Sequence, residues 1–203
     1  MGTQLQENYV SLSPHNPIWD RVFTIAPLVI IGTKEESGFD LAPKHMATPL
    51  SFGNYFGFVC TPKHHTYHNV KKTGEFTVSF PRPEQIVITS LSATPRKKGI
   101  TKSDGIVGAL ATIQAKTMDA PVIKDAYLYL ECELFKIIDG FDENSLIAGK
   151  IKAAHVHKDY LRISENDEQE QLKKHPLLAY IANGRFAEIR ETYNFPFPKD
   201  FKR

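Results

Sequence analysis

Apolar residues along the chain come in short bursts, most of them shorter than a typical helix. Val22 to Thr33 is dense in β-branched and aromatic residues and is interrupted by Pro27, which predicts a strand with a break or bulge at the proline. Lys34 to Gly38 is a polar turn. Phe39 to Ser51, with Pro43 and Pro49, follows neither a helical nor a strand period and reads as an ordered loop or short strand. Tyr55 to Cys60 is a continuous apolar run, predicting a buried strand. A helix is expected to open at Thr61-Pro62, since Thr is a good N-cap and Pro suits the first helical position. Gly74 is its expected stop, with Lys71 and Lys72 in the last turn.

Glu75 to Phe80 predicts the next strand and Pro83 to Ser92 a second helix. Thr94 to Gly108 is basic and then glycine-containing, as in a surface loop. Ala126 to Ile138 and Ser145 to Val156 are long strand candidates joined by the turn-forming segment Asp139 to Asn144. Glu165 to Lys174 is charged and helix-prone. Leu177 to Ile189 precedes a tail rich in proline and aromatics, and residues 1–18 form an arm with a turn at Ser13 to Pro17. Strands outnumber helices and do not alternate with them. This predicts a mainly β fold, a barrel with peripheral helices, and argues against a doubly wound sheet.

The length, 203 residues, suits one domain spanning 1–203. The net charge of +2, from 25 basic and 23 acidic residues, gives no whole-molecule reason to bind nucleic acid. Arg96-Lys97-Lys98 is the size of an ordinary solvated turn. No apolar run approaches the roughly 20 residues that span a bilayer, so no membrane partner is expected. Met1 to Ser13 lacks the basic start and apolar stretch of a signal peptide. Cys60 and Cys132 lie inside apolar runs and read as buried thiols. A cytoplasmic location is expected.

Candidate chemistry concentrates in Cys60-Thr61-Pro62-Lys63-His64-His65-Thr66-Tyr67-His68-Asn69. Positive side chains at a helix start oppose the helix dipole, which makes sense if an anion sits there. Backbone N–H groups, the Thr61 and Thr66 hydroxyls and Lys63 could then converge on a phosphate. The residues alone also suit the more ordinary case, a solvated helix start with a Thr cap. His64 and His68 share a helix face, but no third ligand is fixed nearby, and no metal is expected. Gly-rich dinucleotide, Walker and nucleophile-elbow motifs are absent, and so is a Cys-x-x-Cys pair. His155 and His157 alternate on a strand, with solvent exposure the commoner reason.

An ordered set of blocks goes further. Ile25-Ala26-Pro27-Leu28-Val29-Ile30-Ile31-Gly32-Thr33 is followed by Gly38 and by Leu41-Ala42-Pro43-Lys44-His45-Met46-Ala47. Gly57 to Cys60, His65 to Val70 and Thr73 to Val78 come next. Ala120-Pro121, Leu130 to Cys132, Ile147 to Ile151 and Ala182 to Phe186 complete the set. Over about residues 20–190 the chain resembles the flavin reductase-like family of FMN-binding split β-barrels, flavoredoxins included.

The resemblance implies non-covalent FMN near the interface of a homodimer. Leu41, Ala42, Pro43, Lys44 and His45 would run beside the isoalloxazine. Phe58, Val59, Cys60 and Thr61 would form the pocket wall. Lys63, His65, Thr66 and Asn69 belong to the helix start expected to hold the phosphate. The implied activity is that of an FMN-dependent oxidoreductase, an NAD(P)H:flavin reductase with nicotinamide as transient substrate and a small-molecule or protein electron acceptor. No side chain is expected to act as acid or base, because the flavin carries the electrons. Two departures stand out. Asp40 occupies a position where many members have Asn. Asn144 is the nearest match to a His carried by many NADH-using members. The second motivates an alternative, a flavoredoxin-like electron carrier that serves a protein partner without nicotinamide turnover.

Overall fold

Val29, Ile30 and Ile31 are all fully buried although consecutive residues of a strand point to opposite faces. A run with no polar alternation therefore marks a strand covered on both sides. The computed structural model describes residues 8–162 and 167–200 and shows how this is achieved. Strands β1 (Ile25–Pro27), β2 (Val29–Lys34), β3 (Phe39–Lys44), β4 (Ala47–Pro49) and β5 (Tyr55–Cys60) precede helix α1 (His65–Thr73). Strand β6 (Glu75–Phe80) leads to α2 (Ile86–Ser92), then to the short β7 (Thr112–Gln114) and β8 (Pro121–Ile123). The long β9 (Leu128–Phe141) and β10 (Asn144–Val156), α3 (Glu168–Lys174), β11 (Leu177–Ile181) and β12 (Arg185–Ile189) follow.

Seven strands form one antiparallel sheet in the order β3-β2-β6-β9-β10-β5-β4, curled into a half-barrel. The curl follows from the long pair. Strand β6 pairs with the first half of β9, from Leu128 to Glu133, whereas β5 pairs with Ser145 to Lys150 of β10. Register shifts in β10 at Ala148/Gly149 and Ile151/Ala153 bend the ladder between these two attachments. Gly149 sits at one such shift because Phe76 covers it: a Cβ there would lie 2.4 Å from Phe76 Cζ. Inside the curl, Val29, Ile31, Phe56, Phe58, Phe76 and Ile147 pack with α1 residues Tyr67 and Val70. On the outer face of β2, Ile30 and Leu41 pack with Val107, Leu110 and Ile123, so the segment after α2 supplies the second cover.

The expected mainly β architecture with peripheral helices is the one found. Local differences have physical reasons. Phe39 to Ser51 forms two strands, because pairing with β2 and β5 overrides its lack of periodicity. The turn expected over Asp139 to Asn144 shrinks to Asp142-Glu143, with Asp142 in the left-handed region at φ 51°. Strands β7 and β8, three residues each, carry no period to read. Helix α3 begins after Asp167, whose carboxylate accepts from Glu170 N at 3.0 Å. Its expected start at Glu165, like residues 1–7 of the N-terminal arm, lies outside the described residues. The turn at Ser13 is present, with Asn16 N donating to Ser13 O at 3.3 Å.

Candidate functional site

Helix α1 begins at His65, three residues later than Pro62 would suggest. Thr61 to His64 forms a turn instead: His64 N donates to Thr61 O at 3.0 Å and Lys63 N to Thr61 Oγ1 at 3.3 Å. The Thr61 hydroxyl is thus used one turn early, and the N-cap falls on His64, whose side chain makes no capping bond. Among the described residues no side chain caps the leading N–H groups of α1. The other end is conventional, with Gly74 at φ 73° and its N–H on Val70 O at 2.9 Å.

A cleft of about 310 Å³ opens in front of this uncapped start. Lys44, Lys63, Arg96 and Lys102 line it together with His64 and His65, and the one carboxylate among the lining residues is Asp40. Asp40 is 3% exposed. Thr66 Oγ1 donates to its Oδ2 at 3.1 Å, and Lys102 Nζ and Arg96 Nη2 stand 3.1 and 3.7 Å from its Oδ1. Lys102 Nζ is aimed at Leu41 O, 2.5 Å away, so its contact with Asp40 is ionic and Oδ1 accepts no aligned hydrogen bond. Arg96 grips Glu35 with both terminal nitrogens, Nη1 at 3.2 Å from Oε2. The segment expected to be a mere surface loop thus supplies two of the four cations. The available signal was the pairing of Glu35 and Asp40 with Arg96 and Lys102, which sequence spacing alone does not reveal.

Strand β3 is the edge of the large sheet on this side. Phe39 N donates to Ser103 Oγ at 3.3 Å and Leu41 O accepts from Lys102, so odd-numbered residues turn their backbone groups away from β2. Strand alternation places the Leu41 N–H and the Pro43 C=O on that same free edge. Of the residues expected at a cofactor, Ala42, Pro43, Lys44, Lys63, His65 and Thr66 line the cleft. Leu41 is fully buried, backbone included, and does not line the cleft, and the Phe58 and Cys60 side chains point into the core. Val59 and Thr61 face the other way and are half-buried, with Val59 N on Met46 O at 2.8 Å. Lys63 is exposed and pairs with Glu143 at 2.8 Å. Asn69 donates to Thr33 Oγ1 at 2.9 Å and to Glu35 Oε1 at 3.4 Å, one turn along α1 from the cleft. His45 stacks on Tyr180 with ring centroids 4.5 Å apart.

Burial, reinforced by Lys44, holds both His45 and His64 below the ordinary imidazole range, and Asp40 partly offsets this at His64. Burial pushes the Cys60 thiol up, and burial with the neighbouring Glu131 pushes Cys132 up to about 12. Both thiols are protonated at neutral pH and poorly suited to redox exchange. His64 lines the cleft, whereas His68 lines a neighbouring one, so the two imidazoles that share a helix face do not converge. His155 stacks on Tyr129, with Nε2 3.4 Å from Glu131 Oε1, and His157 accepts from Asp159 N at 3.3 Å. Both have structural partners away from the cleft.

The half-barrel sheet with its peripheral helices defines a split barrel, and a cation-lined cleft opens at the start of α1. The chain belongs to the flavin reductase-like family: the flavin reductase like domain matches residues 22–188. An uncharacterised protein of Pyrococcus abyssi is 29% identical over 127 residues, which is 62% of this chain and 70% of that one. Flavoredoxin from Methanosarcina acetivorans shares the fold with a TM-score of 0.74 at 18% identity, covering 93% of this chain and 95% of that chain. The FMN-binding protein of Thermus thermophilus, solved with bound p-hydroxybenzaldehyde, gives 0.73 at 20% identity, covering 94% of this chain and 100% of that chain.

Proposed function

We propose that the chain binds FMN non-covalently and uses it as an NAD(P)H-dependent flavin reductase. The observation that carries this reading is the cleft itself: four cations and two imidazoles around one carboxylate, at a helix start with no side-chain cap. Such a donor set fits a phosphate dianion, which helix N–H groups and fixed cations hold well. Lys44, Lys63, Lys102 and Arg96 would hold the phosphate. The free edge of β3, through the Pro43 C=O, would orient the polar rim of the ring. Asp40 would fix Lys102 and Thr66 rather than touch the ring, so its replacement of the usual Asn is compatible with flavin binding. His64, neutral at pH 7, leaves the cation set to the lysines and Arg96. When bound, the flavin supplies hydride acceptance from nicotinamide and onward electron transfer. The chain supplies binding and orientation, and no side chain is assigned as acid or base.

The test is anaerobic mixing of the FMN-loaded protein with NADH or NADPH, following the loss of flavin absorbance. Bleaching supports the reductase reading, and no bleaching with either donor retires it. A second reading draws on the hairpin tip. Glu143 reaches Lys63 beside the cleft, and Asp142-Glu143-Asn144 presents acidic groups there. An acidic tip disfavours an anionic dinucleotide and suits a basic protein donor, as in an electron carrier. Reduction by a partner protein alone would select that reading. We also infer a homodimer. Phe135, Ile138 and Phe141 leave an apolar row exposed on β9, and sedimentation of the loaded protein as a monomer would remove this inference.

A further inference from the structure

A cavity of about 270 Å³ lies against helix α3 and shares no lining residue with the cation-lined cleft. Tyr127, Tyr160, Gln171, Leu172 and His175 are part of its wall. We propose that this cavity is a second binding site, one that takes a small, neutral, planar ligand with an amide edge: an aromatic carboxamide or lactam. The proposal stands apart from the flavin reading and does not depend on it.

The wall carries one unused acceptor and one unused donor. Gln171 is 9% exposed, and its Nε2 donates to Asp159 O at 2.7 Å and to Leu161 O at 3.1 Å. Carbonyl oxygens only accept, so both amide hydrogens are taken and the amide cannot turn over. Its Oε1 accepts from nothing among the described residues. The Tyr127 hydroxyl likewise has no hydrogen-bond partner among the described residues, whereas that of Tyr160 donates to Pro176 O at 3.4 Å. Neither free atom is sealed from solvent. Burial, with Tyr160 alongside, pushes the Tyr127 phenol up to about 12, so it stays a donor at neutral pH. A ligand that offers an N–H to Gln171 and a C=O to Tyr127 satisfies both, and an amide carries these groups side by side. The remaining wall fixes shape and charge. The Tyr127 and Tyr160 rings stack with centroids 4.8 Å apart, His175 tilts against Tyr160 at 5.6 Å, and the Arg82 guanidinium lies 5.5 Å from the Tyr160 centroid. Rings held in this way form a ready aromatic surface and cost a ligand little ordering. Arg162 pairs with Glu168 at 3.0 Å, with side chains 73% and 59% exposed, so neither sign of charge is in excess at the rim and an ion gains little there. The volume falls just under the roughly 300–1,000 Å³ of sites for drug-sized ligands, which limits the occupant to about one or two rings.

The test is a ligand-observed NMR titration of the full-length protein with benzamide and with methyl benzoate, which has the same ring and carbonyl but no N–H. Tyr127→Phe removes the hydroxyl and keeps the ring stack, and Leu172→Trp fills the cavity. Benzamide should bind the wild type with a Kd of about 1 mM or below. Methyl benzoate should bind about 3- to 10-fold more weakly, and Tyr127→Phe should weaken benzamide by a similar factor, the order of one neutral hydrogen bond. Leu172→Trp should abolish binding in a chain that still melts cooperatively, and added FMN should not displace benzamide. No saturable binding of benzamide, equal affinity for methyl benzoate, or unchanged affinity in either variant would overturn the proposal. Displacement by FMN would place the ligand in the first cleft and equally overturn it. The comparison of the two ligands on the wild type decides the matter should a variant fail to fold.

Discussion

Replacing Asp40 with Asn should move folding and binding in opposite directions. In the protein without ligand, Asp40 is the carboxylate between Thr66, Lys102 and Arg96, with its side chain 5% exposed and that of Lys102 11% exposed. Asn keeps the shape and an acceptor for Thr66 but removes the charge. Breaking a buried pair usually costs about 3–5 kcal/mol, but Lys102 keeps Leu41 O and Arg96 keeps Glu35, so about 1–3 kcal/mol is expected. For a chain of this size that lowers Tm by roughly 2–12 °C. Binding changes in the other direction. A phosphate oxygen accepting from Lys102 would stand roughly 6 Å from the Asp40 carboxylate. Each unit of phosphate charge is then repelled by about 0.7 kcal/mol at the dielectric of water and about 2.8 kcal/mol at an effective dielectric near 20. Asp40→Asn should therefore tighten FMN by roughly 3- to 100-fold for each unit of phosphate charge. Thermal melts of the ligand-free protein and calorimetric FMN titrations read the two effects separately. A variant that is less stable and binds FMN no better would refute the placement of the phosphate in this cleft.

Other outcomes follow from the same structure. Gly149→Ala should destabilise by about 1–3 kcal/mol or more, because its Cβ would meet Phe76 Cζ at 2.4 Å and Cys132 Cβ at 3.0 Å; an unchanged urea midpoint would contradict the packing. Burial would raise the pKa of Glu131, but the hydroxyl and N–H of Thr117, the N–H of Lys116 and His155 outweigh it and hold the carboxylate below its usual range. Glu131→Gln, facing three N–H donors from Lys116, Thr117 and Met118, should cost about 2–4 kcal/mol, and denaturant titration showing under half of that would argue against a charged acceptor. His45 and His64 have folded pKa values below the unfolded one, near 6.5, so the unfolded chain binds more protons as pH falls through that value. The stability of the ligand-free protein should decline from pH 7.5 to 5.5, and a double His→Gln variant at these positions should decline less. Equal slopes would rule out these two imidazoles as the source.

Much of the fold was legible because certain residues admit few alternatives. The β-branched run Val22 to Thr33 read as a strand broken at Pro27, where β1 indeed ends, and Tyr55 to Cys60 and Glu75 to Phe80 were bounded by turn residues that fixed their ends. Gly74 is where a left-handed cap was needed. The start of α1 was misread because Thr61 can serve a turn as well as a helix cap, and its hydroxyl is taken by Lys63 N. At the site, Lys63 and Thr66 were visible as neighbours of the helix start. Arg96 and Lys102 were not, because their closeness to Asp40 arises from a loop about 60 residues away in sequence, with no period to betray it. The Thr66 hydroxyl, expected to face a phosphate, is committed to Asp40, a contact only tertiary structure brings about.

The most direct test of the central claim is the absorption spectrum between about 350 and 500 nm, the flavin region, of the purified protein after incubation with FMN and gel filtration. Flavin bands that elute with the protein, and that are lost when Lys44 and Lys102 are both changed to Glu in a chain that still melts cooperatively, are the predicted result. A protein that stays colourless after incubation with FMN and with FAD would contradict the account.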